Sequence, residues 1–327
     1  MNRRTFLARI GPAFLAVGGT VEAQSPGPVY RIGFLITADA DILVPLRQAF
    51  LQGLRDLGYA DSQIVLLVRD AGGRVEQLPP LVDELLKLKV NVIVASSSTP
   101  AALAAKRATT EVPIVAVAVG APVATGLVSS IARPGGNVTG STILGTEVAP
   151  KRLELAKALR PGIRQIALLW NPDNPANAAL ERELRDAAPK QSLKLTSVAA
   201  RTVDELDPAF GRMARQRTGA VLVTGDTVHQ AAMNRIISLA ARHRVPAIYN
   251  QLRNAVDGGL MAYAADDRAL YRRAAVYVDK ILKGTKPGDL PFEQATEFDL
   301  VINLKTARDL GLTIPRSLLV RATRLIE

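Results

Sequence analysis

From Tyr30 onward, short apolar runs rich in β-branched residues alternate with longer stretches in which apolar positions recur every three or four residues. Arg31 to Ile36, Ile64 to Val68, Asn91 to Ala95 and Val112 to Val119 read as strands. Asn91 to Ala95 has the apolar, β-branched character of a strand covered on both faces. Val44 to Leu57, ended by Gly58, then Val75 to Leu88 and Pro122 to Ala132 read as helices. Such alternation predicts a parallel sheet with right-handed crossovers. The turn cluster Arg133-Pro134-Gly135-Gly136-Asn137 then leads into a short strand, Val138 to Ser141.

A second series follows with the same rhythm. Helices are expected at Val148 to Leu159, from Asn174-Pro175, at Val203 to Arg215 and at His229 to Arg242. Strands are expected at Gln165 to Trp170, Lys194 to Val198, Ala220 to Val223, Ala247 to Tyr249 and Leu260 to Tyr263. A long helix, Asp266 to Lys283, an extended segment, Phe298 to Asn303, and an αα segment, Lys305 to Ile326, complete the chain. The fold class is α/β: two Rossmann-like lobes with parallel sheets joined by a hinge. Residues 30–141 with 264–291 make the first lobe and 142–263 with 292–327 the second. The chain then crosses between lobes near Ser141, Ala264 and Phe292.

In doubly wound sheets ligands bind at the carboxyl ends of strands, so the cleft between two such lobes is the expected site. The strand ending at Ala95 empties into Ser96, Ser97, Ser98, Thr99 and Pro100 before an alanine-rich helix. With Thr99 as its N-cap and Pro100 in the first turn, this loop offers hydroxyls and free amides at the positive end of a helix dipole, a fit for a carboxylate. It reads equally as an ordinary turn solvated by serines. On the facing lobe, Asp226 follows the strand Ala220 to Val223 and is either a cleft acid or the cap of the next helix. Trp170, Tyr249 and Tyr263 end strands and are candidates to stack on a ligand, with core packing as their other reading; Asn250 adds an amide.

Composition narrows the chemistry. The 327 residues contain no cysteine, which excludes disulfides, thiolate metal sites and cysteine nucleophiles, and His229 and His243 are the two histidines. No nucleophile elbow, Walker loop, dinucleotide fingerprint, zinc-protease helix or EF-hand loop occurs. Asp39 with Asp41, and Asp266 with Asp267, sit at loop ends where carboxylates cap helices. The chain therefore reads as a binder without cofactor or metal rather than an enzyme. Residues 1–23 have a basic start containing Arg3-Arg4-Thr5-Phe6-Leu7, an apolar run from Ile10 to Gly19 and the ending Val21-Glu22-Ala23. They read as an export signal, of either twin-arginine or general secretory type, cleaved after Ala23. The formal net charge of +11 falls to roughly +9 after cleavage and is dispersed without basic runs, so no nucleic-acid partner is expected.

One set of segments carries a family likeness: Ser98-Thr99-Pro100-Ala101-Ala102, Gly120-Ala121-Pro122-Val123, the stretch Ala132 to Gly140 (ARPGGNVTG), Trp170-Asn171-Pro172, and Val301 to Ala307 (VINLKTA). Together with the export signal and Arg31-Ile32-Gly33, they resemble the TrpX-like ABC transporter substrate-binding proteins, which have the type I periplasmic binding protein fold. The resemblance implies a monomeric periplasmic receptor that captures an amino acid or another small carboxylate for a membrane permease, without catalysis. A periplasmic sensor on the same fold and an exported hydrolase are the other readings left open. The family commonly has an acid where this chain has Ala121, so an ammonium group would need another partner, such as Asp226.

Overall fold

The computed structural model describes residues 28–327 except 39, 144–147 and 161; the expected export signal and Asp39 lie outside the described residues. In chain order the first series is β1 (Tyr30–Ile36), α1 (Val44–Asp56), β2 (Ile64–Asp70), α2 (Leu78–Lys87), β3 (Val92–Ser96), α3 (Thr99–Ala108), β4 (Ile114–Val119) and β5 (Val138–Thr142). The second comprises α4 (Val148–Leu159), β6 (Gln165–Trp170), α5 (Pro175–Ala187), β7 (Lys194–Ala199), α6 (Leu206–Arg215), β8 (Ala220–Val223), α7 (Thr227–Ala231), α8 (Met233–Arg242), β9 (Ala247–Tyr249), α9 (Leu252–Val256) and β10 (Met261–Ala264). The tail adds α10 (Asp267–Leu282), β11 (Glu293–Gln294), β12 (Asp299–Asn303), α11 (Leu304–Asp309), α12 (Arg316–Leu319) and β13 (Arg324–Ile326).

These strands form two sheets, ordered β11-β5-β4-β3-β1-β2 and β13-β12-β10-β9-β8-β6-β7. All pairings are parallel except β10 with β12, as helix-linked strands on helix-covered sheets should be. β3 and β4 are buried at every position, because helices cover both faces of the first sheet. The chain passes between sheets three times, after Thr142, after Ala264 and after Gln294. The last passage lies just beyond the expected Phe292, because Glu293 and Gln294 pair with Ser141 and Thr142.

The passage after Ala264 matters for the site. It sends α10 back onto the first sheet, where it packs against α1 so closely that a Cβ on Gly53 would stand 2.8 Å from the Ala275 Cβ. Asp266 caps α10 by accepting the Arg268 amide at 2.8 Å, so Asp267 opens the helix at the junction of the lobes.

Three elements differ from the sequence expectation. Pro122 to Ala132 is not a helix: one turn forms and stops at Gly126, whose φ is +71°, after which the Leu127 and Val128 amides both return to the Pro122 carbonyl and Ser129 binds the turn at Arg133 and Pro134. The expected helix from His229 divides at Ala232 into α7 and α8. Finally, Arg324–Ile326 is a strand, pairing with β12 along Val301 to Asn303.

Candidate functional site

The carboxyl ends of the central strands in both sheets face each other across a cavity of about 90 Å³. Ser96 to Pro100, Thr37, Ala118 and Gly120 line it from the first lobe; Arg152, Asn174, Asn177, Gly225, Asp226 and Asn250 line it from the second; Asp267 lies at the junction. α3 and α5, which line it from opposite lobes, also approach each other. Ser97, Ala118 and Ala121 hold φ values of +47°, +53° and +44° around it. Left-handed backbone at non-glycine positions is strained and concentrates at functional sites.

The serine loop is built differently from the sequence expectation. Ser98, not Thr99, is the N-cap of α3: its backbone is extended and its Oγ accepts the Ala101 amide at 3.2 Å. Thr99 instead accepts the Gly120 amide at 3.0 Å and donates to the Gly120 carbonyl at 3.2 Å, tying α3 to the end of β4. The Ser98 hydroxyl also pairs with Thr37, and Ser96 and Ser97 both pair with the Tyr271 hydroxyl. Tyr271 is fully buried, and burial raises its pKa well above the ordinary phenol range. These hydroxyls are committed to one another, so what the loop presents to a ligand is chiefly the amino end of α3.

Asp226 is a helix cap that also stands on the cavity. It caps α7 by accepting the Val228 amide at 2.9 Å, and it lines the cavity while accepting from Asn171 at 3.2 Å and Asn174 at 3.0 Å. Three donors already occupy its carboxylate oxygens. Behind it His229 is fully buried, its Nε2 3.1 Å from the Ala200 carbonyl oxygen, and desolvation lowers its pKa so that the ring is neutral.

Trp170, Tyr249 and Ala121 lie outside the lining. Strand parity is the reason for the first two. Trp170 continues the face of Ile166 and Leu168 onto the cluster under α4 and α5, and Tyr249 shares the opposite face with Ala247, packed into the core beneath α6 and α8. Tyr263 stacks on Phe298 with ring centroids 5.5 Å apart. Ala121 follows Gly120 on the outside of the turn, half-buried. Asn250, by contrast, lies on the cavity.

Two charged residues that the sequence reading passed over in this role dominate the electrostatics. Arg152 is the one charged member of the buried stripe of α4, with Val148, Leu155, Ala156 and Leu159. Its Nε and Nη2 donate to the Tyr263 carbonyl oxygen at 3.3 and 3.0 Å, and no carboxylate among the described residues pairs with it. Desolvation lowers its pKa to about 10, which leaves it charged at neutral pH. Asp267 has no hydrogen-bond donor among the described residues; burial, helped by neighbouring Asp266, pushes its pKa up to about 7. The cavity thus holds a cation without an anion and a carboxylate without a cation, one on each lobe. Among the described residues no group of three His, Asp or Glu is arranged for a metal, and no helix is long and apolar enough to cross a membrane.

The sequence profile of the ABC transporter substrate binding proteins matches residues 31–326. The chain belongs to this family. It is 27% identical over 284 residues to a tyrosine-binding protein of Clostridioides difficile, covering 86% of this chain and 81% of the relative. Among solved structures it is similar to a conserved domain protein of Vibrio cholerae, at 28% identity and a TM-score of 0.86 over 91% of this chain and 99% of that one. It is likewise similar to an ABC domain from Streptococcus pneumoniae solved in complex with L-Trp, at 26% identity and a TM-score of 0.85 over 91% of this chain and all of that one. The two-lobed architecture is that of type I periplasmic binding proteins, and the family's members are solute-binding proteins rather than enzymes.

Proposed function

We propose that this substrate-binding protein captures a zwitterionic amino acid outside the cytoplasm and delivers it to an ABC permease for import. The observation that carries the reading is the pair of unmatched opposite charges, Arg152 on α4 and Asp267 on α10, lining one cavity from different lobes. Arg152 receives the ligand carboxylate in forked hydrogen bonds, with the amino end of α3 adding a favourable dipole across the cleft. Asp267 receives the ammonium, taking the place of the acid lost at Ala121. The relatives named for tyrosine and solved with L-Trp agree with an amino-acid ligand.

This division gives closure a cause. A ligand with both charges links α4 to α10 and favours the closed arrangement of lobes joined by three passages; a ligand with one charge leaves either buried Arg152 or partly buried Asp267 unmatched as the cleft closes, which is costly. The test is calorimetry of the exported protein with alanine, propionate and ethylamine. Alanine binding with neither single-charge analogue detectable at a hundredfold higher concentration is the expected result. Propionate binding as well as alanine would remove Asp267 from the site and with it the amino-acid reading.

A further inference from the structure

Basic residues that lie scattered along the sequence are gathered by the fold at one end of the second lobe. β6, β7, β8 and β9 run parallel, so their amino ends share the edge of the sheet opposite the cavity. Backbone hydrogen bonds knit the turns that precede them into one row: the Lys194 amide donates to the Arg164 carbonyl oxygen at 2.7 Å, Gly219 to Gln165 at 3.0 Å and Val221 to Pro246 at 2.8 Å. α6 and α8 pack on one face of this sheet and end at the same edge, where Phe210 stacks on His243 with ring centroids 6.4 Å apart.

Arg164 and Lys194 at strand starts, Arg215 and Arg217 at the end of α6, and Arg242 and Arg244 at the end of α8 are all exposed on this edge. None of them makes a side-chain hydrogen bond or ion pair among the described residues. The turns themselves, residues 160–164, 188–193, 216–219 and 243–246, contain no Asp or Glu, whereas the corresponding turns of the first lobe set Asp61 and Glu111 beside Lys89. Arg217 and Arg244 hold φ values of +50° and +52°, and the amide after each returns to the helix, Thr218 to the Met213 carbonyl at 3.0 Å and Val245 to the Ala240 carbonyl at 2.9 Å. Glycine usually takes this left-handed position in a helix stop, because it does so without strain; here both stops have arginine. The helix dipole favours cations in a last turn, which accounts for Arg215 and Arg242 but not for Arg164 and Lys194, which belong to no helix.

The surroundings indicate what these charges meet. The exposed large apolar side chains of the second lobe, Val203, Val256, Val320 and Leu325, lie outside these turns, and no Phe, Tyr or Trp occurs in them. A protein partner needs an apolar, aromatic-rich centre to its interface, and a nucleic-acid strand needs rings for its bases. What remains is unmatched positive charge, which suits a surface dense in negative charge. We propose that this edge of the second lobe docks on the anionic phospholipid surface of the membrane. Docking there keeps the receptor near its permease, while the cavity at the other end of the same strands stays free to fill and empty. Arg152 and Asp267 take no part in it, so its test is independent of the amino-acid reading.

The experiment is co-sedimentation of the exported protein with vesicles of phosphatidylcholine alone and of phosphatidylcholine with one-third phosphatidylglycerol. Binding to the anionic vesicles only is expected at about 0.1 M salt, where charges act over about 10 Å, and its loss at about 1 M, where they act over about 3 Å. A lysine or arginine at an anionic surface tightens binding roughly fivefold, so Arg215→Gln, Arg217→Gln, Arg242→Gln and Arg244→Gln combined should weaken it at least about thirtyfold. The matched control removes four exposed cations of the first lobe, Lys87→Gln, Lys89→Gln, Arg107→Gln and Arg133→Gln, and should stay within about threefold of the parent. Should the fourfold second-lobe variant fail to melt as a folded protein, Arg164→Gln with Lys194→Gln supplies the same reading at about tenfold. No binding of the parent to anionic vesicles, or equal losses in the two fourfold variants, overturns the proposal. Capture by native membranes but not by pure anionic lipid also overturns it, and assigns the edge to an acidic protein face.

Discussion

On the first-lobe wall of the cavity, Ser97, Ser98 and Thr99 direct their hydroxyls to Tyr271, Thr37, the Ala101 amide and Gly120, whereas on the second-lobe wall Arg152 keeps part of its guanidinium unmatched. Both walls are polar, but the serine loop of the first satisfies itself, whereas the second wall, and Asp267 at the junction, do not. A self-satisfied network fixes shape: it holds the amino end of α3 and the strained turn at Ser97 in place whether or not a ligand is present. Unsatisfied groups cost free energy in the empty protein and recover it on binding, so they are where affinity and selectivity reside. Substitutions on the two walls should therefore separate stability from binding.

The largest effect is expected at Arg152. Arg152→Met keeps the length of the side chain and removes the charge that matches a carboxylate. Losing hydrogen bonds between charged groups costs about 3 kcal/mol at the upper end, so the affinity for the amino acid should fall by about a hundredfold or more. Folding stability should change little, because the variant also removes a desolvated charge without an ion-pair partner. Calorimetry and a thermal melt of the ligand-free variant measure the two quantities. Retained affinity would place the carboxylate on the serine loop instead and reverse the contrast between the walls.

Asp267 comes next and has a pH signature. Its pKa of about 7 lies above the ordinary carboxylate value, so the ligand-free native state holds a proton more tightly than the unfolded chain does. Ammonium binding needs the ionised form, and affinity should fall as pH is lowered through about 7. Stability of the empty protein runs the other way: the group contributes a gain as pH falls from about 7 toward the unfolded carboxylate value near 4, and above 7 it is a net cost. Asp267→Asn should weaken binding by about tenfold to a hundredfold, flatten its pH dependence and raise the melting temperature at pH 8 but not at pH 4. Binding measured between pH 5.5 and 8.5 decides it; an unchanged pH profile in the variant would exclude Asp267 as the ammonium partner.

How far the sequence revealed these walls follows from the same contrast. The alternation of strand and helix, the two lobes and the position of the Ser97 to Thr99 loop at a strand end were legible, because periodicity and capping residues are local signals. The placement of Asp226 and Asn250 on the cavity was legible for the same reason, each standing just after a short apolar strand. Arg152 and Asn177 lie inside helices, where sequence spacing gives them no loop context. Their signal was a polar residue on an apolar stripe: Arg152 is spaced with Val148, Leu155 and Ala156, and Asn177 with Leu180 and Leu184. Trp170 and Tyr249 misled because ending a strand does not decide which face a side chain takes; parity with their neighbours turned both into the cores. The short strand Arg324–Ile326 had too few residues to show a period, and the turn after Pro122 ends at Gly126, whose left-handed backbone a glycine permits without announcing it.

The smallest effect on binding should come from the most conspicuous residues in the sequence. Ser98→Ala removes the cap of α3 and the pairing with Thr37, and loss of a cap costs about 1 kcal/mol of stability. Thr99→Val keeps the shape of the side chain and removes both bonds to Gly120, loosening the contact between α3 and the end of β4 by a similar amount. Neither hydroxyl is free to reorient toward a ligand without giving up a partner, and the backbone amides of the turn survive both substitutions. The double variant should therefore melt several degrees lower while its affinity at a temperature well below the transition stays within about threefold of the parent, since a 1.4 kcal/mol change would already be tenfold. Parallel melts and calorimetry on Ser98→Ala, Thr99→Val and the double variant separate the two outcomes. A loss of tenfold or more in affinity with an unchanged melting temperature would mean that the hydroxyls leave their internal partners for the ligand, and the first-lobe wall would then be a recognition surface rather than a frame.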